Sequence, residues 1–428
     1  MYAQLRRSLR LLAHSLREIG NILRKRPVDG RDIVTTFLWW KFMRAVFHRG
    51  YVLASGLYFV ISAHLSASQI VFLGTVMSII LLLSDIPAGV WSDAIGRKWP
   101  LVIGQMLLAA GMAMTGVVTA LPLIIVTQVF WGLGWAFLTG ADTAWVTDEF
   151  DQPHQIAQVL TASARWELAG GATGMVVFGV LSWATSLAIA IVVSGIAMAL
   201  LGLFVAVRFT ERNFMPTREK RWSASLSIFR LGVNLSRHDH EILLVFAATM
   251  LINGAALVEW LFPKQLVNLG FPSDPILWYT ALGFLSSALG VVALRIVEAR
   301  IDGVGAARHM YALACFIGVL GLMVLSEAPN AIIGGVGVLL VSGVAFNVTR
   351  TVSVIWVNRR TMSEVRATVH SFLSQAESIG EIIGGFALAV LAQAAGISIV
   401  LIASGVLMAF TALMVARSGT DRAIPGSL

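Results

Sequence analysis

The sequence predicts an all-α membrane protein whose twelve transmembrane helices form two pseudo-symmetric six-helix bundles. Three observations carry this. The chain is 57% hydrophobic and 13% charged, with mean hydropathy +0.81, whereas a soluble domain averages about 25% charged residues. Its apolar runs are of membrane length, since a spanning helix needs about 20 such residues. The two halves also repeat at one offset, 209 or 210 residues. Asp93-x-x-Gly96 matches Asp302-x-x-Gly305, Gly134 matches Gly343, and Asp148 matches Asn358. Glu167-x-x-Gly170-x-x-x-Gly174 matches Glu377-x-x-Gly380-x-x-x-Gly384.

Residues 1–27 place Leu5, Leu9, Leu12, Leu16, Ile19 and Leu23 on one helical face. Arg6, Arg7, Arg10, Arg17, Arg24 and Lys25 fill much of the rest, and Pro27 ends the pattern. This reads as a basic amphipathic helix on the inner leaflet, the bland alternative being a weakly ordered tail. No apolar signal-peptide core is visible in this stretch.

The first span is expected at 42–64. Lys41 and Arg44 would snorkel to the cytoplasmic interface, and Arg49, lying deeper, would face the interior. Three charge-free runs are too long for one helix. Trp99–Ala141 breaks at Ala120-Leu121-Pro122, Leu168–Val207 at Ser182–Thr185, and Ile382–Ala416 near Gln393–Gly396. The remaining spans are then 69–91, 99–119, 122–146, 156–180, 185–207, 242–262, 275–297, 307–326, 331–355, 367–392 and 396–416. Joints without positive charge belong outside. The charged joints belong inside: Arg97/Lys98, 208–240, Arg295/Arg300/Arg308 and Arg359/Arg360/Arg366. Both termini are therefore expected in the cytoplasm. The domains are a surface helix (1–30), a first bundle (31–208), a linker (209–240), a second bundle (241–417) and a tail (418–428).

Between the second and third spans lies Gly89-Val90-Trp91-Ser92-Asp93-Ala94-Ile95-Gly96-Arg97-Lys98. Gly96 permits a left-handed turn residue, and Arg97 and Lys98 hold the turn on the positive side of the membrane. The stretch resembles the signature turn of major facilitator superfamily transporters, G-x-x-x-D-[RK]-x-G-R-[RK]. It departs at Ala94, where that family usually has a basic residue. The repeat fits too, because such transporters pair parallel halves around a site at their interface. The resemblance covers nearly the whole chain after the first forty residues.

The resemblance implies a gate formed by Gly89, Asp93, Gly96, Arg97, Lys98 and Asp148. Asp93 would sit against the N-terminus of the eleventh helix near Arg366-Ala367-Thr368, and Arg97 would pair with Asp148. The bland reading is that Asp93 and Arg97 only set topology and the local turn.

Other candidates come from polar residues inside spans, where they are costly. Asp85 is a proton-coupling candidate, or else the structural partner of Arg49 or Arg165. Arg165 and Glu259 are further coupling candidates. Glu259 reads alternatively as a surface residue beside Lys264, and Arg165 and Glu167 as structural pairing residues. Trp131, Trp135, Leu138, Asp142, Trp145 and Glu149 form one helical stripe, and its repeat counterpart includes Asn347 and Thr351. The resemblance places that helix on a central cavity. Arg49, Trp131, Trp135, Asp142, Asn253, Asn347, Arg350 and Thr351 are the cavity candidates; indole faces attract cations. Trp145 reads equally as an interface anchor. Glycines at Gly170, Gly171, Gly174, Gly380, Gly384 and Gly385 read as close-packing positions.

The eight histidines show no metal-ligand spacing, and no nucleotide or nucleophile motif appears. No metal, no cofactor and no enzyme activity is expected, and Cys315, the single cysteine, allows no intrachain disulfide. The net charge of +8 reflects cytoplasmic loops rather than nucleic-acid binding. The expected function is gradient-driven transport of a small molecule by a plasma-membrane monomer, as proton-coupled export of amphipathic or cationic compounds. Two features of related drug exporters are missing. Gln128 stands where they carry an Arg before Gly132-Leu133-Gly134, and the fifth span lacks proline. The alternatives are uptake of a polar or anionic nutrient, favoured if Arg49, Arg165 and Arg350 converge, and a membrane sensor that moves no solute.

Overall fold

The computed structural model describes residues 30–150, 155–214, 240–301, 305–361 and 366–417. The expected surface helix, most of the linker, Asp302 and the C-terminal tail lie outside them. The described chain is all helical. The first set comprises α1 (Gly30–Ile61), α2 (Ala67–Ile95), α3 (Lys98–Thr115), α4 (Leu121–Leu138), α5 (Ala141–Glu149), α6 (Ile156–Ala184) and α7 (Leu187–Arg208). The second set comprises α8 (His240–Ala256), α9 (Phe262–Leu269), α10 (Pro275–Arg300), α11 (Ala306–Ser326), α12 (Ala331–Val338), α13 (Phe346–Arg360) and α14 (Arg366–Arg417). Among the described residues, nine helices are long and apolar enough to cross a membrane, counting α4–α5, α8–α9 and α12–α13 as one each.

Helix ends follow local chemistry. Ser66 caps α2 reciprocally with Gln69, Pro122 opens α4, Ser186 caps α7, Asp274 and Pro275 open α10, and Asn330 caps α12. Three expected spans are interrupted. Span 122–146 breaks at Thr139-Gly140, where Gly140 takes φ +81°, open to a residue without Cβ. Span 242–262 loosens into a 3-10 turn over Leu257–Leu261 and runs on to Leu269. Span 331–355 carries a π segment, Leu339–Ala345. In α14 the backbone leaves helical geometry at Gly396, the joint expected between the last two spans. The first span starts at Gly30, well before residue 42.

Glycines decide the tight seams, and they do so in the repeated register. In the first set α6 lies on α1, with Gly170 against the Phe42 carbonyl and Gly174 against Val46. In the second set α14 lies on α8 the same way, with Gly380 against the Met250 carbonyl and Gly384 against Gly254. A side chain at any of the four would separate the helices.

The two sets touch at the end of the molecule that carries Ser66. Ser78 Oγ donates to Glu381 Oε2 at 2.7 Å, and Lys264 Nζ donates to the Leu65 carbonyl at 2.7 Å. Leu53 and Leu57 of α1 cluster with Ile276 and Tyr279 of α10. Gly179 of α6 meets Thr280, and Met175 faces Gly283. Toward the end carrying Arg97 these seams open. On the Ser78 face of α2, a Cβ at Gly89 would find nothing within 4 Å. On the Thr280 face of α10, Ser287 and Val291 are exposed. Among the described residues, the molecule is closed at the Ser66 end and open at the Arg97 end. A small recess lined by Ser66, Gln69, Ala392 and Gln393 lies at the closed end, away from every candidate residue.

Candidate functional site

The charged turn joins α2 to α3. Gly96 takes φ +127°, and its amide donates to the Ser92 carbonyl at 3.3 Å. Arg97 pairs with Asp93, reaches Ser92 Oγ at 3.3 Å and sets Nε 3.4 Å from Asp148 Oδ2. Glu211, which sequence reading passes over, accepts the backbone amides of Arg97 and Lys98, an anion at a helix N-terminus. A Cβ on Gly96 would collide with that carboxylate. Glu149 returns the clasp, accepting from Arg212 N at 2.7 Å and Asn213 N at 2.9 Å, while Trp145 Nε1 donates to the Thr210 carbonyl at 2.8 Å. The expected docking of Asp93 at Arg366-Ala367-Thr368 involves side chains outside the described residues.

Lys41 and Arg44 do not snorkel. They are 8% and 6% exposed and turned inward. Lys41 Nζ lies 2.7 Å from Asp142 Oδ2 and 3.6 Å from Glu167 Oε2. Arg44 Nη2 lies 3.5 Å from Asp142 Oδ2 and 3.2 Å from Glu167 Oε1. Two cations and two anions thus tie α1, α5 and α6 together. The break at Gly140 lets α5 bring Asp142 onto α1. Trp40 and Trp135 cover the Arg44 guanidinium at 4.9 and 5.7 Å.

Two cavity candidates are buried in this state: Asp142 is 6% exposed and Trp131 7% exposed, the aromatic–acidic stripe packing on α1 and on Phe209 and Thr210 just after α7. Trp131 and Trp135 stack at 5.4 Å, and His48 of α1 lies over them at 5.4 and 4.9 Å. Trp145 stacks on Phe209 at 4.1 Å. His48 Nε2 and Trp131 Nε1 are buried without a hydrogen-bond partner. Neither Arg49 nor Arg165 pairs with Asp85; all three lack a hydrogen bond or ion pair among the described residues, and both arginines are exposed. The spacing of four and three marks the stripe but not which neighbour covers it.

In the second set the side chains of Asn253 and Asn347 turn to backbone carbonyls. Asn253 is buried and donates to the Thr249 carbonyl at 2.9 Å. Asn347 Nδ2 satisfies the π-segment carbonyls of Ser342 and Gly343 at 2.8 and 3.1 Å. Both serve their own helix backbone. Glu259 accepts from Ser342 Oγ, while Lys264 turns away to Leu65. Arg350 is exposed, and Thr351, one residue on, is half-buried. The charge of Arg350 acts on both Glu377 and Glu381, and that of Glu259 on Glu381. Glu377 and Glu381 therefore belong to the polar layer just below the closed seam. Among the described residues no group of three or more His, Cys, Asp or Glu is disposed to hold a metal ion.

The fold has many solved counterparts. The nucleoside transporter NupG overlays with TM-score 0.75 at 14% identity, over 91% of this chain and 100% of its own. The D-xylose-proton symporter gives 0.67 at 13%, over 90% and 97%. A bacterial homologue of the human lysosomal transporter Spinster, in an inward-facing and unoccupied conformation, gives 0.70 at 12%, over 90% and 96%. No curated protein sequence matches significantly. The Major Facilitator Superfamily profile matches residues 30–385, most of the chain and both helix sets, so this protein belongs to the major facilitator superfamily.

Proposed function

We propose that this protein is a secondary active transporter moving a small molecule across the plasma membrane by alternating access. One observation carries the reading: the seams between the two helix sets are closed at the Ser66 end and open at the Arg97 end. Such a shape is one of the two states that alternating access requires. The sets are two rocking six-helix halves, with boundaries at 31–208 and 241–417. Nine crossings become twelve when α14 is divided at Gly396 and the charged α1 and short α3 are added. The Arg97 end faces the cytoplasm, with both termini, because the basic residues gather there. The Asp93–Arg97–Asp148 cluster is the gate that closes that end in the alternate state.

Transport is proton-coupled export of amphipathic or cationic compounds by a monomer. Support comes from Asp85, Glu259, Glu377 and Glu381, carboxylates within membrane-length helices, where an ionisable group is costly unless it works. A second reading, uptake of a polar or anionic nutrient, is supported by the exposed Arg49, Arg165 and Arg350. Purified protein in liposomes with an imposed proton gradient tests both. Efflux of a cationic compound that collapses with the gradient supports export, inward flux of an anion supports uptake, and absence of any flux leaves a sensor.

A further inference from the structure

The charges left over once the buried pairs are counted are unevenly placed. Lys41 and Arg44 are balanced by Asp142 and Glu167. On the α1–α6 side Arg49 and Arg165 remain, and Arg49 is the deeper of the two. Phe42 and Gly56 lie seven residues either side of it, about two turns, so all three share a face. Gly171 of α6 lies against the Arg49 side chain, and a Cβ at Gly56 would meet Pro263 and Tyr279 of the second set. Arg49 therefore points between α6 and the second set, about two turns below the closed seam. It is exposed, with no hydrogen bond or ion pair among the described residues. A guanidinium at that depth belongs to a watery cavity, not to hydrocarbon.

The α2–α14 side is the reverse. Ser78 and Asp85, seven apart, share a face of α2, and Ser78 holds Glu381 of α14 at 2.7 Å. Glu377 lies one turn below Glu381 on α14. Arg350 alone acts on both. Two carboxylates, Glu377 and Glu381, thus face one guanidinium, and Asp85 adds a third negative charge on the Ser78 face of α2. We propose that the transported molecule is a zwitterion, its anionic group held by Arg49 on the α1–α6 side and its cationic group by Glu377 and Glu381 on the α2–α14 side. This rests on the transport reading above and narrows its substrate class.

The full-length purified protein is titrated by calorimetry with matched probes: ω-amino acids of several chain lengths, the corresponding alkylamines and the corresponding alkanoates. At least one ω-amino acid should bind about tenfold or more tighter than both singly charged partners, as expected when each end makes a charge-assisted hydrogen bond. Arg49→Gln should lower that affinity to the alkylamine level and leave alkylamine binding unchanged, and Arg49→Lys should restore part of it. Glu377→Gln with Glu381→Gln should lower it to the alkanoate level. The proposal is overturned if an alkylamine or alkanoate binds as tightly as its amino acid, or if none of the probes binds; the wild-type series decides this even if a variant fails to fold. Liposome flux of an alkylamine that binds as tightly as its amino acid would remove the zwitterion and keep transport. Tight amino-acid binding without flux would remove transport alone.

Discussion

Lys41 and Asp142 meet at 2.7 Å in the buried seam between α1 and α5, with side chains 11% and 8% exposed. Removing one charge strands the other. Asp142→Ala should therefore destabilise the protein by about 3–5 kcal/mol. Pairing it with Lys41→Met should recover part of the loss, since the buried cation goes too. Thermal unfolding in detergent checks this; additive losses in the double variant would argue against a direct pair.

Weakening the gate should populate the state open at the Arg97 end. Cys315 is the single cysteine and is buried, so Cys315→Ser provides a clean background for labelling. Val291→Cys in that background reports the open seam, because Val291 is 42% exposed there. Adding Asp93→Asn should raise the fraction of Val291→Cys labelled at short times; an unchanged rate would separate Asp93 from gating.

Ser78 and Glu381 should act oppositely, as they join the sets at the closed seam. Losing a hydrogen bond to a charged group costs about 1.5–3 kcal/mol, about tenfold or more in the ratio of the two states. Ser78→Ala should therefore expose Leu57→Cys, buried in the α1–α10 cluster, to a membrane-impermeant reagent. Labelling no faster than in the parent would show that the bond does not hold the seam.

Among the described residues Asp85 has no ion pair to lose, so Asp85→Asn should leave expression and thermal stability near the parent values. Proton-driven flux in liposomes should be abolished while exchange without a gradient persists. Full gradient-driven flux in the variant would take Asp85 out of coupling.

Gly174→Ala should be costly, although the change is a single methyl. A Cβ there would press on the Val46 backbone of α1. Overpacking of this kind costs about 1–3 kcal/mol. Gly140→Ala meets open space but must hold φ +81°, so its loss should come from backbone strain of similar size. Comparison of their unfolding temperatures with that of Gly132→Ala, whose new methyl would meet the Ile80 side chain at 3.0 Å and backbone no nearer than the Met77 carbonyl at 3.8 Å, separates packing from strain.

What the sequence alone determined is whatever depends on neighbours along the chain. Apolar length and capping residues place most helix ends within a few residues, including the joint at Gly396 inside the continuous run of α14. The repeated Gly170/Gly174 and Gly380/Gly384 registers anticipate the two equivalent seams, because a small residue on a helix face has one main use in lipid. Periodicity also finds the Trp131–Asp142 stripe, yet it cannot say what covers it. Only the tertiary structure decided that Lys41 and Arg44 turn inward, that Glu211 clasps the gate turn, and that Glu381 bridges the two sets. Each joins residues far apart in sequence. The free energy of a buried charge is set by which opposite charge the fold delivers to it, and no local pattern carries that distance.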